Sequence, residues 1–260
     1  MEKAADLVSP FKRALEHSSS PTTVTDALGI PKYSTLYHAD DLEVWRQTEK
    51  HATFNGVVCQ RPFHGQWDAY QADIDACQER VNLERGLLAV VKRSDNLAAD
   101  LEAAVNALLT EAALPMPLSK QIFSDALSIG HAATSMCPSG SLEIKLECAG
   151  ENICSRWHQD NFVGRALTCY TGVEGTEYTG DENVDFWELV HCGNNDCIIR
   201  DSKHVHSIDV GDILFIKGKT YEGSPPLVHR SPAKRYHADG RILNRLILKV
   251  DVSNRNDGTW

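Results

Sequence analysis

Two hydrophobic periods divide the chain. From about Leu42 to Met136 apolar residues recur at helical spacing. Leu97, Leu101, Val105, Leu108 and Leu109 keep i, i+4, i+8 intervals, while Asp100, Glu102 and Asn106 fill other faces. This predicts a helix capped by Asp95 or Asn96 and stopped by Pro115. A second helix is expected over 118–136, through Ile122, Phe123, Ala126, Leu127 and Ile129, and a third over 67–81. After Pro138 the period falls to two. Leu142, Ile144 and Leu146 alternate with Glu143, Lys145 and Glu147, which makes one strand face apolar and the other charged. Short strand-like runs follow at 166–170, 184–190, 198–199, 205–210, 213–216, 227–229 and 246–252. Turn-forming clusters such as GVEGTEYTGDEN, CGNND, DVGD and HADG separate them.

Helices first and many short strands afterwards predict an α+β chain, with a helical N-terminal half packed on a barrel or sandwich. The expected organisation is a Ser/Thr/Pro-rich arm over 1–40, a helical support over 41–136, a β core over 137–252 and a tail over 253–260.

Composition then narrows the function classes. The 260 residues carry 26 Lys+Arg against 36 Asp+Glu, a formal charge of −10. That balance argues against a nucleic-acid partner, since nothing would neutralise phosphates in bulk. The longest unbroken apolar run, Leu87 to Val91, is far shorter than the roughly 20 residues of a membrane span. The N-terminal stretch lacks the apolar centre of a signal peptide. A soluble cytoplasmic protein with no membrane partner is expected. The 8 cysteines are scattered in a chain long enough to build its own core, so no disulfide framework is predicted. Cys192 and Cys197, with His191 beside them, resemble half of a zinc site. No second half follows, and turn residues between two strands explain GNND more simply.

The informative segment is CSRWHQDN, residues 154–161. In an extended chain His158 and Asp160, two apart, project to one face. His229 follows in PPLVHRSP at the start of a late strand. Two histidines and a carboxylate on one face of a metal leave three coordination positions open, the facial triad suited to non-haem Fe(II). Arg245 opens the last strand-like run, where a guanidinium could hold a carboxylate through two parallel N–H donors. Arg241 and Arg165 compete with it. The pair His204 and His206 shares a face but lacks a carboxylate at matching spacing. His131 reads as a packed or surface histidine and His237 as an exposed one. Trp157, Tyr170, Tyr178, Phe186 and Trp187 are candidates for a substrate pocket, with core packing as the competing role. Glu177 either offers a polar contact at the barrel mouth or faces water.

The order His-x-Asp, distal His and downstream Arg resembles the Fe(II)/2-oxoglutarate-dependent oxygenases. A closer resemblance is to a domain-of-unknown-function family, carried by WHQDN (157–161), RALTCYTGVEGTEY (165–178), DILFIKG (212–218), LVHRSP (227–232) and RLILKVD (245–251), and by the weaker EVWRQ (43–47). The resemblance implies a double-stranded β-helix of the cupin or jelly-roll kind. It implies Fe(II) held by His158, Asp160 and His229, 2-oxoglutarate and O2 as co-substrates, and Arg245 on the distal carboxylate. The implied reaction is hydroxylation, desaturation or cyclisation at an unactivated C–H bond. A small polar metabolite, with a free amino acid leading, is the expected substrate, contacted by Tyr170, Glu177 and Tyr178. A zinc-binding or metal-handling protein without redox activity is the alternative.

Overall fold

The structure is a computed structural model that describes residues 35–42, 54–62, 67–81, 86–92, 94–136, 140–151 and 153–253. The N-terminal arm up to residue 34, EVWRQ and the last seven residues lie outside these ranges. In chain order the elements are β1 (Leu36–Ala39), β2 (Gly56–Cys59), α1 (Gln71–Val81), β3 (Leu87–Lys92), α2 (Leu97–Ala112), α3 (Met116–Met136), β4 (Ser141–Ala149) and β5 (Gly164–Cys169). Then come β6 (Glu177–Thr179), α4 (Phe186–His191), α5 (Asn195–Ile198), β7 (Val205–Ser207), β8 (Ile213–Lys217), β9 (Val228–Arg230) and β10 (Arg245–Ser253). The result is a mixed α and β molecule with one large sheet.

That sheet has seven strands in the order β1-β2-β8-β5-β10-β4-β3, and a second has three in the order β7-β6-β9. Strict alternation on the long central strands assigns their faces. Leu246, Leu248, Val250 and Val252 of β10, with Leu142, Ile144, Leu146 and Cys148 of β4, turn to one side. There they join the cluster formed by Ile74 of α1, Leu101, Val105 and Leu108 of α2, and Leu118, Ile122 and Ile129 of α3. Each such side chain gains about 1.5–3 kcal/mol on burial, so this sandwich of helices on sheet is the main source of stability. The other face of β10 carries Arg245, Ile247, Lys249 and Asp251. Ile247 packs there with Leu167, Leu214, Ile216 and Leu227.

The strands pair from the outside inward. β4 pairs with β10, His158 bridges His229 of β9, β5 pairs with β8, and β6 pairs with β7, all antiparallel. This nesting puts His158 and β9 at one position in the small sheet.

Three expectations need correction. The stretch 41–136 is not helical throughout, because β2 and β3 lie in it and both join the large sheet. Its apolar run, LLAVV, is an edge strand whose Leu88 and Val90 face outward. The helix α2 stops at Ala112, where Ala113 turns left-handed (φ 49°) and donates its N–H to the Leu109 carbonyl, so Pro115 is not its stop. The run 184–190 is not a strand either. Asp185 accepts the N–H groups of Trp187 and Glu188 and starts α4, and 198–199 closes α5. Among the described residues no helix is long and apolar enough to cross a membrane.

Candidate metal centre

The backbone brings the two histidines together. His158 and His229 exchange backbone hydrogen bonds of 3.0 Å in each direction, and their ring centroids lie 4.4 Å apart. Each Nδ1 then donates to the carbonyl two residues back, Arg156 at 2.8 Å and Leu227 at 3.1 Å. A carbonyl can only accept, so both rings carry the proton on Nδ1 and aim the Nε2 lone pair elsewhere. Both aim at Asp160. His158 Nε2 is 3.8 Å from Oδ1 and His229 Nε2 is 3.6 Å from Oδ2. Ligand atoms of all three residues lie within 4.8 Å of one another, a spacing that one ion of the facial-triad kind would fit.

Electrostatics suits a cation. His229 is buried, and burial pushes its imidazole down to about 4 against the pull of Asp160, so it is neutral and free to ligate. Burial alone would raise the Asp160 carboxyl, but the Arg165 guanidinium and the two histidines hold it below the usual carboxylate range. Arg165 Nη1 lies 3.0 Å from both oxygens of Asp160, while Nε and Nη2 grip Asp251 of β10 at 2.5 and 2.9 Å. Gly218 allows this loop to close, since a Cβ there would lie 1.9 Å from the Phe162 carbonyl oxygen.

The group opens on a cavity of about 230 Å³ between the two sheets, whose wall includes His158, His229, Arg165 and Arg245. Arg245 is buried, with Nη1 3.9 Å from the Cys169 thiol and Nη2 without a hydrogen-bond partner. Its stem passes over Gly172, where a Cβ would come within 2.9 Å of Cγ and Cδ. An orphaned guanidinium nitrogen at a cavity wall fits a carboxylate ligand.

Other expected residues stand elsewhere. Arg241 is exposed on the 236–242 hairpin and pairs with Asp239 at 2.7 Å, away from this cavity wall. Arg165 reaches the cavity but spends its donors on two aspartates. Tyr170 belongs to the helix-side core and donates to Asp125 of α3 at 2.7 Å, because it follows β5 with the opposite parity to Cys169. Tyr178 lies against His206 and the inner core, outside the cavity wall. Glu177 does not face water: it pairs at 2.5 Å with Arg230, whose guanidinium lies over Trp157 and lines the cavity. Lys249 and Glu147, joined at 2.5 Å, and Cys154 also line the cavity although no motif marks them; Thr176, expected with Glu177 to offer a polar contact at the barrel mouth, lines it too. The alternation Arg245, Ile247, Lys249 within RLILKVD carried the signal for Lys249.

A family described as "protein of unknown function (DUF1826)" matches residues 39–251. No curated protein matches the chain in sequence. Among solved structures, the dioxygenase for auxin oxidation 1 from Arabidopsis thaliana, in its 2-oxoglutarate binary complex, is similar at 11% identity with a TM-score of 0.45, covering 86% of this chain and 94% of that one. A full-length Neurospora crassa protein in complex with alpha-KG follows at 11% identity, a TM-score of 0.38 and coverage of 84% and 83%. A 2OG-Fe(II) oxygenase family protein from Caulobacter crescentus has 11% identity, a TM-score of 0.37 and coverage of 89% and 87%.

Proposed function

The chain belongs to the DUF1826 family, and we propose that it is an Fe(II)/2-oxoglutarate-dependent oxygenase acting on an unactivated C–H bond of a small polar metabolite such as a free amino acid. The observation that carries this reading is the convergence of His158, Asp160 and His229 beside the orphaned Nη2 of Arg245 in one cavity. The nested strand pairing supports a double-stranded β-helix, because coiling one long hairpin sends its successive pairs to alternate sheets.

In this reading Nε2 of His158, Nε2 of His229 and a carboxylate oxygen of Asp160 would hold the iron. When bound, the iron with 2-oxoglutarate and O2 supplies oxidative decarboxylation to succinate and CO2 and the power to oxidise a C–H bond. The chain's own part is positioning and charge. The carbonyls of Arg156 and Leu227 lock both imidazole tautomers. Arg165 keeps Asp160 ionised and fixes its plane. Arg245, buried at the cavity wall, would take the distal carboxylate of 2-oxoglutarate through its parallel N–H donors. The Lys249–Glu147 pair and Arg230 leave a polar wall for a small charged substrate.

Anaerobic addition of 2-oxoglutarate to the Fe(II)-loaded protein tests the reading. A visible metal-to-ligand charge-transfer band is expected, with succinate formed once air is admitted and neither seen with Zn(II). A colourless Fe(II) complex that never consumes 2-oxoglutarate would sink it in favour of redox-inactive metal binding.

A further inference from the structure

Away from the cavity, the corner between α4 and α5 gathers three more ligand atoms. Glu188 lies one helical turn before Cys192, so both project from the same side of α4 and its cap. Cys197 returns from α5 across the loop Gly193–Asp196. The Glu188 carboxylate and the two thiols lie within 4.8 Å of one another, and both cysteines are exposed and free. Gly193 makes the tight return possible. Its φ is +70°, and a Cβ there would lie 2.3 Å from Cζ of Arg156.

We propose that Glu188, Cys192 and Cys197 form a second metal site, a thiolate-rich one that takes zinc(II), separate from the His-Asp-His group. Two sulfurs and one carboxylate suit a borderline-soft ion and disfavour Mg(II) or Ca(II). Three protein ligands leave one tetrahedral position for water. The half-site visible in the sequence lacked a partner motif only because Glu188, a residue with no zinc signature of its own, completes it within the same turn.

The site has a consequence for the neighbouring strand. Asn195, inside the loop, accepts the Trp157 N–H at 3.0 Å and donates to the Ser155 carbonyl at 2.8 Å. Arg156 Nη2 donates to the Leu189 carbonyl at 3.4 Å. An ion tying Cys192 to Cys197 therefore braces the residues that lead directly into His158. The site rests on its own geometry, so its failure would leave the reading of the cavity intact.

The test is titration of the reduced, metal-free full-length protein with Co(II) under argon. An intense near-ultraviolet thiolate-to-cobalt band should grow to saturation and bleach when Zn(II) is added. The band should vanish in Cys192→Ser/Cys197→Ser and persist in His158→Ala. It should also persist in Cys154→Ser, the control for the exposed thiol 4.0 Å from His158 Nδ1. Glu188→Gln should keep the band and weaken Co(II) binding at least about tenfold, the lower bound for disturbing a ligand environment. If the double variant misfolds, the wild-type protein still decides: Zn(II) should protect Cys192 and Cys197 from alkylation, read peptide by peptide. Absence of the band, its survival without both cysteines, its loss in Cys154→Ser, unchanged affinity in Glu188→Gln, or alkylation indifferent to Zn(II) would each overturn the site.

Discussion

Arg245 and Lys217 each bury a nitrogen without a hydrogen-bond partner, Nη2 of the one and Nζ of the other. The two orphans differ in what they face. Arg245 faces the cavity, and a carboxylate ligand would complete it. Arg245→Lys keeps the charge but loses the parallel donors, so the apparent 2-oxoglutarate requirement should rise about 10- to 150-fold, the equivalent of roughly 1.5–3 kcal/mol. Iron affinity should hardly move, and Arg241→Lys should change neither; steady-state kinetics against 2-oxoglutarate reads both. Among the described residues Lys217 meets the ring of Tyr221, 4.8 Å from its ammonium. Burial pushes it down from 10.5 to about 8. Between those values the unfolded chain holds more protons than the native one, so stability should climb from pH 8 to 10.5, and at pH 7 the whole cost is present. That interval is worth on the order of 3 kcal/mol. Lys217→Met should therefore raise stability at pH 7 by about 1–3 kcal/mol and flatten the alkaline rise in urea melts; an equal rise in the variant would refute the assignment.

Among the elements, β5 and β10 are joined by more than their ladder. Arg165 on β5 spans Asp251 on β10 and Asp160 in the loop before β5, all three largely buried. Removing the cation leaves two buried carboxylates without their shared partner. Arg165→Met should thus cost about 3–5 kcal/mol of unfolding free energy, measured in denaturant at neutral pH. A loss below about 1 kcal/mol would mean water already solvates the pair. The short helix α4 shows where element prediction from periodicity fails. Residues 184–190 look like a strand because five of seven are apolar or aromatic, yet Phe186, Trp187 and Val190 are exposed, and within the helix that starts at Phe186 the buried residue is Leu189. Capping decided the matter, because the Asp185 side chain accepts the N–H groups of Trp187 and Glu188, a local signal that the hydrophobic run conceals in the sequence.

For the molecule as a whole, the candidate centre links metal binding to folding, because His158, Asp160 and His229 meet only in the native state. Mn(II), a redox-stable ion that prefers nitrogen and oxygen ligands, should stabilise the protein by about 2.7 kcal/mol at a hundred times its dissociation constant, and Asp160→Asn should abolish the gain. Differential scanning calorimetry with and without Mn(II) checks it. What the sequence determined by itself was local: the alternation that became β4 and β10, the helical period of α2 and α3, and the His-x-Asp spacing that places two side chains on one face. Those follow from the fixed geometry of helix and strand, which any stretch of about ten residues already expresses. Only the tertiary structure decided which arginine keeps an unpaired donor at the cavity wall, that Tyr170 belongs to the helix side, that LLAVV is an edge strand and that Glu188 stands beside two cysteines. Each of these depends on which distant strand or turn lies opposite, and the nested pairing that settles it joins residues far apart in the chain, as Arg245 meets Ala149 and His158 meets His229.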